Sequence, residues 1–514
     1  VPDNAVDIAP LERREDEADT PAGEVRFWMQ QLSLAEREDR QFVVKGRRIV
    51  KRYRDERAQS VRQVAKFNIL WSNVETLKPI LYGRTPKPDV ERRHKNSDPI
   101  SRLGAEIIER ALSYEDDLDE FDKVMRRVVE DRLLPGRGVA RVFYEAEFGE
   151  EEEDASAEPD EETGERPKFR PVSSESAPVR YWFWEDYRES PARVDEEVWW
   201  KAYRSYLTRD ELVKKFGKKY GNEITLDYTP KGLGEDGERG PQADAFKKAQ
   251  IWEIWDKQKK RVVWIASSYS DAPCKEIDDP LGLPGFFPSP RALKATTTNE
   301  TLVPVADYTE YQDQAIELDV LTARIDRLQN ALKVAGLYAG SQKAELTQLL
   351  DPSSENQMIP VEDWAAFGDR GGIKGMIEWL PVEQIAAVLI QLYDARDRVQ
   401  RTLYQITGMA DILRGETNPN ETLGAQQLKS QFATRRITES QKDVARFARD
   451  LMRLRGCVIA RHFSPESLMK ITGLPEPMPA LPPMPEMMIP APPPQMAPQE
   501  GAPGANVVPM RGAT

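Results

Sequence analysis

Two stretches of the chain carry a narrow apolar seam at helical spacing. In Tyr311–Val334, Leu318, Leu321, Ile325, Leu328 and Leu332 recur at steps of 3, 4, 3 and 4. In Val382–Ile406, Ile385, Val388, Leu392, Ala395, Val399, Leu403 and Ile406 recur at 3, 4, 3, 4, 4 and 3. The remaining faces are charged, which is the pattern of helices packed side by side. Each rod would be about 30–35 Å long at 1.5 Å per residue. Between them, Leu337–Trp379 holds short apolar pieces and turn signals at Asp351-Pro352 and Gly371-Gly372, the pattern of a small α/β module.

Upstream, the periodicity predicts helices over Val25 to about Arg57, Ser60–Tyr82, Pro99–Tyr114 and Leu118–Leu134. The last stops at Pro135-Gly136, and Val139–Glu145 then reads as a strand. Arg180–Trp184 and Glu197–Tyr203 are aromatic-rich and read as half-buried strands. Thr208, with Glu211 three residues on, opens a short helix through Tyr220 as a capping box. Ala249–Trp255 and Arg261–Ser267 flank the polar run Asp256–Lys260 as a hairpin. After Ile406, the segment Thr407–Leu423 is rich in Gly and Asn and reads as a loop. A long helix follows from about Gly424 to Arg455, with Gly456 as its C-cap. The expected class is mixed α+β, dominated by helix.

Composition narrows this picture at the ends and in one insertion. Residues 1–24 are polar and read as disordered. Gly149–Lys168 is acidic with almost no apolar residues and reads as an exposed loop. From Gly473 to Thr514 lie 13 of the 39 prolines and 6 of the 13 methionines, a low-complexity tail unable to bury a core. No run approaches 18 apolar residues, and the acidic start lacks a secretory pattern, so neither a membrane span nor a leader is expected. Two distant cysteines, Cys274 and Cys457, make no disulfide framework.

The net charge of −14 argues against a protein that clamps nucleic acid over its whole surface. The sign is local, however. Glu150–Glu162 is strongly acidic, while Lys429–Arg455 has eight basic residues against three acidic. The second half of the first helix (Lys45, Arg47, Arg48, Lys51, Arg52, Arg54) is also basic and reads as a solvated face.

Catalytic signatures are missing. The chain has no GxxxxGK[ST], no GxGxxG after a strand and no GxSxG. Its two histidines, His94 and His462, have no second ligand at zinc spacing, so neither metal nor cofactor is expected. His94 reads as an exposed loop residue and Cys457 as a packing residue.

Several passages, in order, resemble the portal proteins (head-to-tail connectors) of short-tailed bacteriophages. They are Phe67–Val90 (FNILWSNVETLKPILYGRTPKPDV), Asp131–Glu145, the hairpin Ile251–Ile265, Val303–Gln314, and Ile406–Glu416 followed by Asn420–Leu423. The acidic insertion at 149–168 and the short end of the chain depart from that pattern.

The resemblance implies a non-enzymatic ring, normally of twelve subunits, at one capsid vertex. The parts would be a wing (25–300), stem helix one (301–335), a small α/β clip (336–381), stem helix two (382–406), a tunnel loop (407–423), short wing or crown helices (424–472) and the Pro/Met tail. Double-stranded DNA would pass through without specific binding. The clip would dock the terminase large subunit during packaging and the adaptor and tail proteins afterwards. Major capsid and scaffolding proteins would be neighbours, in the virion and, during assembly, in the host cytoplasm. Leu318, Leu321, Ile325, Leu328, Ile385, Val388, Leu392 and Val399 would then pack the stem.

Asp411, Arg414, Glu416, Asn418 and Asn420 belong either to a channel-facing loop or to an ordinary connector. Arg414 is a candidate phosphate contact or the partner of a nearby carboxylate. Trp364 and Phe367 are clip docking anchors or clip core. Lys429–Arg455 pairs with acidic wing surface of a neighbour or touches DNA. Two other classes stay open: a packaging-associated nuclease, and a structural capsid scaffold without DNA passage. Near charge balance in the second stem helix (Glu383, Asp394, Asp397 against Arg396, Arg398, Arg401) fits a surface past which DNA slides.

Overall fold

The computed structural model describes residues 20–56, 65–92, 99–118, 120–150, 152–153, 168–229, 246–331, 336–338, 377–379, 382–408 and 423–473. Helix α1 spans Pro21–Tyr53, so it begins inside the stretch expected to be disordered. Thr20 starts it by accepting a hydrogen bond from Gly23 N–H, and Pro21 fits the first turn, where no donor is needed. Helix α2 is Ile69–Leu81 and starts later than the expected Ser60. Asn68 caps it by accepting from Trp71 N–H, while Phe67 N–H goes to Asp319 instead of a helical carbonyl. Helices α3 (Pro99–Leu118) and α4 (Phe121–Leu133) follow.

Gly136, at φ 105°, turns the chain from α4 into β1 (Arg137–Val142). At Gly138 a Cβ would lie 2.2 Å from the Val128 carbonyl oxygen, so only glycine lets β1 lie this close to α4. The chain then forms β2 (Glu145–Phe148), β3 (Glu152–Glu153), β4 (Lys168–Phe169), β5 (Val172–Ser176) and β6 (Val179–Trp182). Next come β7 (Tyr187–Glu189), β8 (Trp200–Leu207), α5 (Arg209–Glu223), β9 (Ala249–Asp256), β10 (Arg261–Ala266), β11 (Lys275–Asp278) and β12 (Leu293–Lys294). The Thr208 capping box forms as expected, with Glu211 returning to Thr208 N–H at 2.8 Å.

An antiparallel sheet of order β11-β10-β9-β8-β7 forms the centre of the body, beside a smaller one of order β12-β1-β6. The predicted hairpin is β9–β10, with Arg261 opposite Asp256. Glu197–Tyr203 is expected to be half-buried, but β8, like the hairpin strands β9 and β10, is covered on both faces. Trp200, Ala202, Trp252, Ile254, Val263 and Ile265 pack under α1 against Val25, Trp28 and Leu32. The alternate positions Tyr203, Ile251, Trp255, Val262 and Trp264 face the main core. Two-sided burial explains why these strands read as nearly continuous apolar runs.

Helix α6 (Gln312–Ala331) and helix α7 (Val382–Thr407) follow the two seamed stretches. Between them β13 (Gly336–Tyr338) pairs antiparallel with β14 (Ile377–Trp379). Helix α8 runs Leu423–His462, straight through Gly456. The expected C-cap there is therefore overturned: Val458 and Ile459 are fully buried just beyond it, and that burial carries the helix on. Its Val444, Phe447, Ala448 and Leu451 join the main core, and α9 (Pro465–Thr472) closes the unit against α3.

Candidate functional site

The two seamed helices lie side by side in antiparallel directions: Gln329 near the end of α6 donates to the Tyr393 hydroxyl near the middle of α7 at 2.6 Å. Their seams close unevenly. Leu318, Leu321 and Ile325 of α6 are buried, whereas Leu328 is half-buried. On α7 only Leu403 and Tyr404, near its end, are buried. Ile385, Leu392 and Val399 are half-buried, and Val388, expected within the seam, stands 47 % exposed. Among the described residues nothing lies over that side of α7. Ile390, at 63 %, is exposed about 200° further round at 100° per residue, so apolar side chains emerge on two opposite sides of this helix. Helix α6 adds Ile316 and Val320, each nearly half exposed and one turn apart.

The base of the pair is fixed to the body by charge. Asp319 accepts from Phe67 N–H at 2.9 Å and pairs with Arg52 at 2.6 Å. Burial opposes the Arg52 charge, but the hydrogen bond and charge of Asp319 outweigh it and keep the guanidinium above its ordinary pKa. Arg132 of α4 pairs with Asp307, just ahead of α6, at 2.6 Å. Here a cavity of about 370 Å³ opens, lined by Asn73, Leu81, Arg132, Asp307, Tyr311 and Ile406 among others. It reaches Thr407 and Gly408, where α7 ends.

Sequence periodicity gave no hint of a set of buried ions in the body. Arg137 is 2 % exposed; it donates to both oxygens of Asp39 at 3.2 and 2.8 Å, with Arg188 beside the same carboxylate at 3.6 Å. Arg141 pairs with Glu253 at 2.5 Å and lies over the rings of Phe143 and Tyr203 at 4.3 and 4.4 Å. Glu253 also accepts from the Trp255 and Trp264 indoles. Lys201 donates to Pro290 O at 2.9 Å and to Ser289; burial pulls its ammonium down to about 8, against the pull of Glu189. Burial pushes Glu189 up, but Lys294 at 2.6 Å and Lys201 outweigh it and hold the carboxyl at about 2. All of these ions stand on β-strands except Asp39, on α1. A linear pattern shows only that a charge interrupts an apolar run, not that its counter-ion waits on another strand.

Arg455, expected to pair with a neighbouring molecule or with DNA, is fully buried within its own chain, on Asp116 at 2.6 Å and Ala177 O at 2.7 Å. His462 contacts Leu281 O at 3.0 Å and stacks on Tyr144 at 5.0 Å. Cys274 is buried; Cys457 packs partly against the core, as expected. Among the described residues no group of three His, Cys, Asp or Glu side chains is placed to hold a metal ion, and no helix is long and apolar enough to cross a membrane. Asp411, Arg414, Glu416, Asn418, Asn420, Trp364, Phe367 and His94 lie outside the described residues. No family model and no curated protein matches this chain.

Proposed function

We propose that this chain is a subunit of a phage portal: a ring at one capsid vertex that conducts DNA during packaging and ejection and carries no catalytic activity of its own. The observation that carries the reading is the pair α6–α7, a long antiparallel hairpin of helices rooted in a β-rich body, with the β13–β14 pair between its two halves. This is the element order that the portal resemblance implies for wing, stem and clip. The exposed apolar residues on two sides of α7 add support, because a ring covers each stem helix from both neighbours. Charge adds a second support: at −14 per chain, a dozen copies carry on the order of 10² negative charges, suited to letting DNA slide rather than gripping it.

In this reading the outer end between the stem helices docks the terminase large subunit and later the adaptor and tail proteins. The wing meets the major capsid and scaffolding proteins. Native mass measurement and electron microscopy of the purified full chain test the proposal. The expected result is a ring of about a dozen copies with an axial hole, the symmetry class being that of a closed cyclic assembly. A strictly monomeric species under all assembly conditions, or a solid particle, overturns it.

A further inference from the structure

Helix α1 carries one face that its own chain leaves uncovered. Arg37, Arg40, Val44, Arg48 and Lys51 follow at steps of 3, 4, 4 and 3 and are all exposed, forming one stripe about 21 Å long. The four cations make no ion pair or hydrogen bond among the described residues, in contrast to Arg47 and Arg52 on the same helix, which pair with Glu185 and Asp319. In the middle of the stripe stands Val44, 59 % exposed. Only Glu36 lies beside it as an exposed acid, since Glu38 is on another side, accepting from Thr301.

A second uncovered feature has the opposite sign. Strands β2 and β5 form a ribbon of two strands only. Such a ribbon is marginal by itself in water. Phe148 and Val172 face each other across it, both exposed, with Phe148 at 61 %. Glu147 and Glu150 flank Phe148 along the chain and are exposed, Glu147 on the other side of the pleat. Neither Glu147 nor Glu150 has a cation partner among the described residues; Glu145, by contrast, is taken by Arg180. The ribbon is anchored in the body through Glu175, which accepts from Tyr144 and Ser464.

The two features are opposite in sign, and each holds an exposed apolar residue: Val44 among cations, and Phe148 with carboxylates before and after it in the chain. Within one copy no ion pair or hydrogen bond joins the two among the described residues. We propose that the Arg37–Lys51 stripe of α1 receives the acidic β2–β5 ribbon of a second copy of this chain. A contact joining two different patches is head-to-tail, and repetition of it closes a ring when the rotation permits. The inference rests on the ring reading above and adds to it the side chains that select the neighbour. Burial of Phe148 and Val172 on Val44 would supply the apolar part, and the flanking charges the register.

Charge reversal in the full-length chain tests it, with native mass measurement at low salt as the readout. R40E/R48E and, separately, E147K/E150K should each lower the assembled fraction about tenfold. Both pairs of changes combined in one chain should restore assembly, which also shows that the single sets had not simply failed to fold. Raising the salt should weaken wild-type assembly, as screening of exposed charges demands. Wild-type assembly by both reversed variants overturns this contact and leaves the ring reading standing. A wild-type chain that never assembles removes the ring reading and the contact with it. Loss of duplex-DNA retention in R40E/R48E, with its assembly unchanged, gives the stripe to nucleic acid and likewise overturns the proposal.

Discussion

The body and the helical pair solve the same problem of burying apolar surface in opposite ways. In the body, β8, β9 and β10 are covered on both faces within one chain, and even the charges between the layers find partners: Arg137 on Asp39, Arg141 on Glu253. In the pair, burial fades along α7 from Leu403, fully buried near the base, to Val388 and Ile390, largely exposed further out. One region is covered by its own chain; the other keeps apolar surface that no described residue covers. The lesson is that single-chain stability resides in the body, and under the proposed ring function assembly would fall to the helical pair, so substitutions should separate the two.

The largest effect is expected where a buried ion loses its counter-charge. Asp39→Ala leaves Arg137 and Arg188 unpaired in the interior and should cost about 3–5 kcal/mol, read from urea unfolding. A cost near zero would show that the body is less closed than its burial indicates. Next comes Leu318→Ala, at the point where α6 enters the main core; about 2–5 kcal/mol should be lost by the same measurement. If that change proves as mild as one at the half-buried Leu328, the boundary between the two regions has been drawn in the wrong place.

A smaller effect, visible in pH, belongs to the body alone. The Lys201 ammonium is held at about 8, below its ordinary 10.5. Between those values the unfolded chain binds more protons than the folded one, so stability should rise as pH goes from 8 to 10.5, and the full cost of burying the charge is present below 8. Glu189 works at the other end: with its carboxyl at about 2 instead of 4.5, it contributes stability above 4.5 that is lost as pH falls towards 2. Urea titrations across both windows should show these two slopes. Lys201→Met should remove the alkaline one, and a slope that survives this change would assign it to another group. The smallest effect is expected at the outer part of α7. Ile390→Ser should change single-chain stability by no more than about 0.5 kcal/mol, yet reduce the assembled fraction in native mass measurement. A loss of stability with assembly intact would reverse the contrast between the regions.

Local order was legible wherever one residue type forces one conformation or one period dominates. The Thr208–Glu211 capping box, the stop at Pro135-Gly136, the β9–β10 hairpin and both seamed helices follow from contacts within a few residues, which composition and spacing encode directly. Burial was legible only in part. Trp200 reads as a residue of a half-buried strand because alternation cannot reveal that α1 lies over the second face. Gly456 looked like a helix end because glycine favours one, and the distant packing of Val458 and Ile459 overrode that preference.

What the sequence determined by itself is the long helices, the β9–β10 hairpin, their order and the two seams, since these rest on near-neighbour geometry; the short strands such as β2, β5 and β7 and the last helix carried no such signal. The tertiary structure alone decided which charges are interior and which are free. Arg455 reads like any cation of a basic helix, yet it is sealed against Asp116; Arg48 reads the same and stands exposed. The difference arises because an ion pair between residues hundreds of positions apart depends on three-dimensional proximity, which no local period records.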